Sequence, residues 1–554
     1  MDEAIHLILQ SASAFPPPPG IKFAYGTAGF RSNASLLSST VFRAGIVAAL
    51  RSLKSGSVIG LMITASHNPA SDNGVKVADP GGGMLTQDWE PFAEALANAV
   101  NPEDFVQTIK EFMRNEGISF KEACSGEVLV ARDTRPSGES LLGAAMRGIR
   151  AVKGVVAVDM GILTTPQLHW MVRNRNRSTP ATEFDYYTQL SSSFRTLMSL
   201  SLKVLESEPY TGDVVVDGAN GVGAEKLSLL LSFLEGLEMQ IKNSGKEGEG
   251  GLNERVGADF VQKEKVIPCG FGVGDVGKRC ASFDGDADRL VYFYISSLEK
   301  QSIDLIDGDK ILTLFAIFIN QQLNCLQEKC HSFKLGIVQT AYANGASTNY
   351  LRYLGLEVVF TLTGVKYLHE KAAEYDIGIY FEANGHGTIL FSEKFLAWLS
   401  ALNEELGSFS TGLEQLKAVQ RLLAVSKLIN QATGDALSGC LLVEAILHYM
   451  GFSIQTWNKL YQDLPSRQIK VKVADKTSIV TTDAETRVLR PLGLQEAIDS
   501  EVAKHSQGRA FVRPSGTEDA VRVYAEALTQ EAADSLAQAI AEHVHQFAGL
   551  VSAT

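Results

Sequence analysis

Short apolar runs alternate with longer amphipathic stretches along this chain, and polar residues gather where the runs end. VIGLMI (58–63) leads into TASHNP, while EVLVARDTRPSG (127–138) and GVVAVDMG (154–161) read as strands closing in polar turns. TGDVVVDGANGVGAEKLSLLLSFL (211–234) reads as strand, Gly-rich turn and helix, and FKLGIVQTAYANGASTNYLRYL (333–354) repeats the plan. The alternation predicts α/β units with mainly parallel sheets. In such sheets ligands collect beyond the carboxyl ends of the strands, where the polar residues lie here. The polar stretch RNRNRSTPATEFDY (173–186) reads as a linker, as does the region near 460–468. Beyond it QIKVKV is a strand, GLQEAIDSEVAKHS a helix, GRAFVRPSGTEDAVRVYAEAL a hairpin-like pair and TQEAADSLAQAIAEHVHQFAG a helix. That is the pattern of a small appended α+β domain.

Composition narrows the class. The 554 residues suffice for about three to five domains. With 45% hydrophobic and 20% charged residues the composition is globular. A formal net charge of −13 argues against nucleic acid or an anionic membrane as the main partner, but leaves room for an anionic small substrate gripped by a few local Arg and Lys. Cys124, Cys269, Cys280, Cys325, Cys330 and Cys440 form no CxxC pair, so reduced, cytoplasmic usage is expected rather than a zinc site. The start, MDEAIHLILQ, lacks the basic region of a signal peptide, and no apolar run approaches the roughly 20 residues of a membrane helix.

Five short motifs carry candidate chemistry. In FDGDADRLVYFY, Asp284, Asp286 and Asp288 fall at alternate positions between two strand-like runs. Carboxylates so close repel unless a cation sits among them, and hard oxygen ligands suit Mg²⁺ or Ca²⁺. An EF-hand is excluded, because Arg289 stands where that loop needs Gly and Ile295 where it needs Glu. VRPSGTEDAVRV offers Arg513, Ser515, Gly516 and Thr517 as a phosphate grip, with Arg522 as a second fork; it is equally readable as a Pro-Ser-Gly turn. EANGHGT places Glu382 and Asn384 at a strand mouth, where they suit sugar hydroxyls or simply close a turn. YGTAGFR offers Arg31 in a Gly-containing loop. In TASHNP, Ser66 and His67 are adjacent. On an extended chain they point to opposite sides, no nucleophile elbow surrounds the serine, and Asn-Pro is ordinary turn chemistry. GVGDVG (272–277) fits a dinucleotide fingerprint in letters only, since a strand-like run follows where a helix is required.

Taken in order, GTAGFR, TASHNP, DGDADR, EANGHGT and RPSGTE resemble the α-D-phosphohexomutase superfamily, over nearly the whole chain. The sugar loop EANGHGT, where glucose and mannose mutases typically carry GE-x-S-G/A-H, points to the branch acting on N-acetylglucosamine phosphates, as do GIVQTAYANGAS and TGVKYLH. The resemblance implies four domains around a central cleft, three α/β with mixed sheets and one C-terminal α+β, over residues 1–180, 181–298, 299–458 and 459–554. It implies that Ser66 carries a phosphoryl group and that N-acetylglucosamine 6-phosphate and 1-phosphate interconvert through a 1,6-bisphosphate, feeding UDP-N-acetylglucosamine synthesis. Mg²⁺ would be held by Ser66, Asp284, Asp286 and Asp288. Arg31, His67, Lys76 and Arg289 would flank the phosphoryl group. Gly364, Glu382 and Asn384 would hold the sugar, and Arg513, Ser515, Gly516, Thr517 and Arg522 the non-reacting phosphate. A hexose 1,6-bisphosphate would serve as activator, and a cytoplasmic monomer is expected, with no nucleic-acid or membrane partner. The rivals are a glucose or mannose phosphomutase, a metal-dependent phosphatase, and a silent sugar-phosphate-binding scaffold.

Overall fold

The computed structural model describes residues 2–26, 29–119, 125–201, 213–234, 237–299, 301–326, 332–408, 412–515 and 520–549. The chain forms two compact units. One comprises Met1–Asp307 together with Arg421–Gly451, the other Gly308–Gln420 together with Phe452–Thr554.

The first unit holds two five-stranded sheets. Strands β1 (Phe30–Asn33), β2 (Val58–Ile63), β3 (Asp72–Ala78), β4 (Gly126–Arg132) and β5 (Val155–Ile162) are ordered β1-β3-β2-β4-β5. Helices Ser38–Ser55 and Gly138–Arg150 pack together at this sheet. Their backbones touch: a Cβ on Gly148 would lie 1.9 Å from the Phe42 carbonyl oxygen, so only glycine fits. The second sheet joins β6 (Val214–Asp217), β7 (Met239–Lys242), β8 (Arg279–Phe283), β9 (Leu290–Tyr294) and β10 (Asp304–Ile306) in the order β10-β9-β8-β6-β7. Helix Ala436–Met450, from the returning segment, packs against β9 and is buried from Ala436 to Leu447. Its Glu444 pairs with Arg279 of β8 at 2.7 Å.

The second unit holds a four-stranded sheet of β11 (Leu335–Thr340), β12 (Glu357–Thr361), β13 (Ile377–Phe381) and β14 (Gly387–Phe391), ordered β12-β11-β13-β14. The C-terminal part pairs β15 (Ser466–Lys472) with β19 (Ala520–Glu526) and β19 with β18 (Arg509–Pro514), beside a hairpin of β16 (Val480–Thr482) and β17 (Arg487–Arg490). Helix Gln530–Ala548 lays Leu536, Ile540 and Val544 on Val512, Val521 and Val523, giving this part its own core. It is the α+β element expected from the change of pattern.

Two expectations change. The sheets are mixed, as the resemblance implied, rather than mainly parallel as the apolar alternation suggested: β2–β3, β8–β9, β13–β14 and β18–β19 are all antiparallel neighbours. Each of those pairs is joined by one of the motif loops, which are too short for the crossover that a parallel pair needs. The Arg-rich stretch is not a linker throughout. Helix Thr165–Asn176 runs through its first residues and helix Glu183–Ser199 through its last, each opened by a threonine capping box. GVGDVG forms a short turn before β8, as its context required.

Candidate active site

The loop joining β2 to β3 presents Ser66, and it is not extended. Ser66 has φ 51°, in the left-handed region that costs a non-glycine residue about 1–2 kcal/mol. That corrects the extended geometry assumed for Ser66 and His67. The loop is held from several sides. The Ser66 amide donates to Thr64 Oγ1 at 3.0 Å, and that hydroxyl donates to Asp133 at 2.7 Å. Arg135, fully buried, pairs with Asp133 at 3.0 Å and donates to the carbonyls of Ser66 (2.9 Å), Asn68 (2.8 Å) and Asp72 (2.9 Å). Asn253 reaches the Ser66 and Asn68 carbonyls from the loop that follows β7, at 2.8 and 3.0 Å. A Cβ on Gly285 would stand 2.5 Å from the Ser66 carbonyl oxygen, so the DGDADR loop needs glycine to approach this closely.

So held, Ser66 Oγ donates to Asp284 Oδ2 at 2.5 Å, across 218 positions of sequence. Asp284, Asp286 and Asp288 are buried, with one carboxylate oxygen of each within 4.8 Å of the others. Lys76 of β3 lies 2.9 Å from Asp286 and 3.0 Å from Asp288, and Thr165 Oγ1 donates to Asp286 at 2.5 Å. Burial, with the charges of Asp288 and Asp286, pushes the Asp284 carboxyl well above the usual carboxylate range. Burial and Asp288 press on Asp286 the same way, but Lys76 and the Thr165 hydroxyl outweigh them and bring it below that range. Burial disfavours charge on Lys76, yet Asp286 and Asp288 prevail and raise its pKa. Lys76 and, at 4.0 Å from Asp288, Arg289 neutralise part of the negative charge of the cluster. Asp286 Oδ1 is buried with no hydrogen-bond partner among the described residues. Three hard oxygen donors within 4.8 Å of one another and an orphaned carboxylate oxygen fit a small divalent cation.

A basic rim adjoins the cluster. Arg289 donates to Asp259 at 3.0 Å. Burial, then the neighbouring Arg289, lower the pKa of Arg31, and the same two influences bring His67 down to about 3, so the imidazole is neutral at physiological pH. His67 Nδ1 and Arg31 Nε are buried without hydrogen-bond partners among the described residues. Ser66, His67, Lys76, Arg31, Arg289 and the three aspartates therefore converge within the first unit.

The remaining expected residues belong to the second unit. Between β13 and β14 the Glu382 amide donates to the His386 carbonyl at 2.9 Å, and Asn384 spans the turn by donating to Glu382 Oε2 (3.3 Å) and accepting from the His386 amide (3.0 Å). Gly364, with φ 131°, caps helix Val365–Ala372. Arg513 and Arg522 are direct partners across β18–β19, and Ser515, largely buried, closes onto the Ala520 carbonyl at 2.8 Å. Gly516 and Thr517 lie outside the described residues.

Sequence reasoning missed Arg135, Asp133, Thr64, Thr165 and Asn253. The signal for the first two was the DTR at the polar end of EVLVAR, read only as a turn. Thr165 and Asn253 carried no local signal, since each matters through a partner more than 100 positions away.

Comparison with known proteins agrees on class and then on family. Family models described as phosphoglucomutase/phosphomannomutase alpha/beta/alpha domain I and C-terminal domain match residues 44–182 and 469–543. In its first sheet and its C-terminal part the chain is thus similar to the phosphohexomutases. Models described as Phosphoacetylglucosamine mutase AMG1, domain II and domain III, match residues 176–291 and 307–452. The phosphoacetylglucosamine mutase of Arabidopsis thaliana is 61% identical, over 99% of this chain and all of its own length. The solved N-acetylphosphoglucosamine mutase of Aspergillus fumigatus in complex with GlcNAc-6P and magnesium is 41% identical, with a TM-score of 0.89 over 98% of this chain and 99% of that one. A serine-to-alanine variant of that mutase, in complex with glucose 1,6-bisphosphate, is also 41% identical and covers 99% of both chains at a TM-score of 0.88. The chain belongs to the phosphoacetylglucosamine mutase family.

Proposed function

We propose that this chain interconverts N-acetylglucosamine 6-phosphate and N-acetylglucosamine 1-phosphate through a phosphorylated Ser66 and a 1,6-bisphosphate intermediate, the step that feeds UDP-N-acetylglucosamine synthesis. The observation that carries this is the Ser66 hydroxyl aimed at Asp284 from a backbone held in the left-handed region. Strain kept at one serine inside an acidic cluster is a reason to assign it a role. Asp284, Asp286, Asp288 and the Ser66 oxygen would hold Mg²⁺, which supplies charge neutralisation for a transferring phosphoryl group.

In the forward direction the free hydroxyl of the sugar phosphate attacks phosphorus, the bond from phosphorus to Ser66 Oγ breaks, and Ser66 Oγ leaves as the hydroxyl by taking up the proton that the attacking group gives up. When the bisphosphate, turned around, gives its other phosphoryl group back, Ser66 Oγ attacks that phosphorus, the bond to the sugar oxygen breaks, and the serine proton goes to that oxygen. Lys76, held protonated by Asp286 and Asp288, supplies charge and is not the base. His67, neutral and with Nδ1 unpartnered, can accept a hydrogen bond from the transferring group or donate one to it, but with its pKa brought down to about 3 it is too weak a base to hold that proton. Arg31 and Arg289 offset the negative charge of the transferring group. Glu382, Asn384 and Gly364 hold the sugar, and Arg513, Ser515, Gly516, Thr517 and Arg522 hold the phosphate that is not reacting. A cytoplasmic location is supported by Cys269, Cys280, Cys325 and Cys440, all free thiols. No helix of the described residues is long and apolar enough to cross a membrane. A monomer is the expected state, to be read by sedimentation.

Intact mass before and after incubation with glucose 1,6-bisphosphate tests the mechanism. Wild type should gain one phosphate and Ser66→Ala none; a wild type that never gains it sinks the reading. Turnover of N-acetylglucosamine 6-phosphate should exceed that of glucose 6-phosphate, and the reverse preference would move the chain to the hexose phosphomutases.

A further inference from the structure

The turn between β16 and β17 has a backbone that its residues do not favour. Asp483, Ala484 and Glu485 follow one another at φ 50°, 56° and 67°. Three consecutive left-handed residues cost about 1–2 kcal/mol each when none is glycine, and glycine would relieve the strain without loss of the turn. The Thr486 amide and hydroxyl both donate to the Asp483 carbonyl, at 3.2 and 2.6 Å, and hold the turn shut.

The turn places one carboxylate. Glu485 Oε2 accepts the Thr363 amide at 3.0 Å, and Glu485 Oε1 lies 3.3 Å from Arg513 Nε, with both side chains mostly buried. Thr363 precedes Gly364, and its hydroxyl is buried without a partner among the described residues. The Arg513 guanidinium also stands 5.9 Å from the centre of the Tyr342 ring. Across the sheet Arg513 faces Arg522 and Arg522 faces Lys470, a row of three cations. Like charges in register repel, so an unanchored Arg513 would swing away from the row. A negative charge 3.3 Å from its Nε edge holds the guanidinium in place by ion pairing and leaves the other nitrogens to an anion.

We propose that Glu485 is a positioning residue for phosphate capture: it fixes the guanidinium of Arg513 and ties it to the turn at Thr363 and Gly364, so that the phosphate grip and the sugar-holding loop keep one register. This rests on the function proposed above and assigns a residue that acts through Arg513 rather than touching substrate. Because the carboxylate sits on a strained turn, accepts the Thr363 amide on one oxygen and faces the Arg513 guanidinium as an ion pair with the other, it is a fixed support and not a mobile stand-in for the phosphate.

The experiment is steady-state kinetics with N-acetylglucosamine 6-phosphate on wild type, Glu485→Gln, Arg513→Lys and the double variant, with melting temperature recorded for each. Glutamine still accepts the Thr363 amide but cannot pair with Arg513. A role confined to the Thr363 hydrogen bond therefore predicts no change. Positioning predicts a KM raised about ten-fold in Glu485→Gln with kcat changed far less, and a double variant no worse than Arg513→Lys alone. An unchanged KM, or effects of the two substitutions that multiply, overturns the inference. So does a lowered KM, which would make Glu485 a competitor of the phosphate. Should Glu485→Gln not fold, Glu485→Asp, with the charge one methylene short, carries the same expectation at smaller size. A wild type that does not isomerise the sugar phosphate overturns the functional reading itself, and the inference with it; normal wild-type turnover beside an unaffected Glu485→Gln overturns the inference alone.

Discussion

The loop that carries Ser66 and the loop that carries Glu382 and Asn384 are both short connections between antiparallel strands, yet they are held very differently. Ser66 is buried, and its loop carbonyls are bound by Arg135 and Asn253, side chains remote in sequence. Glu382 and Asn384 are only partly buried, and their turn is closed by bonds within itself together with one backbone bond from the Gly308 amide to the Ala383 carbonyl; among the described residues no remote side chain clamps it as Arg135 clamps the serine loop. The contrast fits the tasks. A reacting oxygen must be placed to a fraction of an ångström, and an error of 1 Å can cost about 10²-fold in rate. A group that grips a sugar which must leave, turn and return needs less rigidity and contributes mainly to affinity.

Experiments can break that division, beginning with the largest effect. Ser66→Ala should abolish turnover and phosphate uptake while leaving sugar-phosphate affinity within a few-fold of wild type by calorimetry; lost affinity would mean that the serine loop also does the gripping. Removal of divalent cations by a chelator should lower kcat by about 10³-fold, the scale of losing a main electrostatic stabiliser, with recovery on adding Mg²⁺. Arg135→Lys keeps the charge beside Asp133 but loses the fork that spans the loop carbonyls. It should lower kcat about 10²-fold at nearly constant KM, and a raised KM with intact kcat would refute the rigid-loop assignment. Asn384→Ala should do the opposite, raising KM for N-acetylglucosamine 6-phosphate by about ten-fold, or roughly 1.4 kcal/mol. Smallest of all, Ala484→Gly should relieve left-handed strain and change stability by less than about 1 kcal/mol, read as a slight rise in melting temperature with unchanged kinetics.

Much of this arrangement was legible in the sequence for a local reason. Strand ends, turn residues and the acidic run of Asp284, Asp286 and Asp288 declare themselves within a few positions, and the change of pattern near residue 468 marked the C-terminal α+β part. What stayed hidden depends on partners far apart in the chain. Arg135 looks like any arginine in a turn until the carbonyls of Ser66, Asn68 and Asp72 are seen converging on it. The left-handed Ser66 could not be read either, because serine has no such preference and the clamp imposes it. Antiparallel pairing was not legible in the apolar pattern, because runs of this length look alike whether their neighbour runs with or against them, and the expectation of mixed sheets came from the family resemblance alone.

The segment Arg421–Gly451 has a consequence for how the molecule is made. Helix Ala436–Met450 buries itself against β9; Asp435 accepts from Tyr186, Glu444 pairs with Arg279, and the Ala436 amide bonds the Ala287 carbonyl inside the acidic loop. During synthesis the first unit therefore emerges with a groove along its second sheet, and with the loop of Asp284, Asp286 and Asp288 unsupported on one side, until Gly451 has left the ribosome. Newly made chains truncated before that point would carry every ligand for the cation, yet expose an apolar sheet face to whatever chaperone or neighbouring nascent chain meets it first.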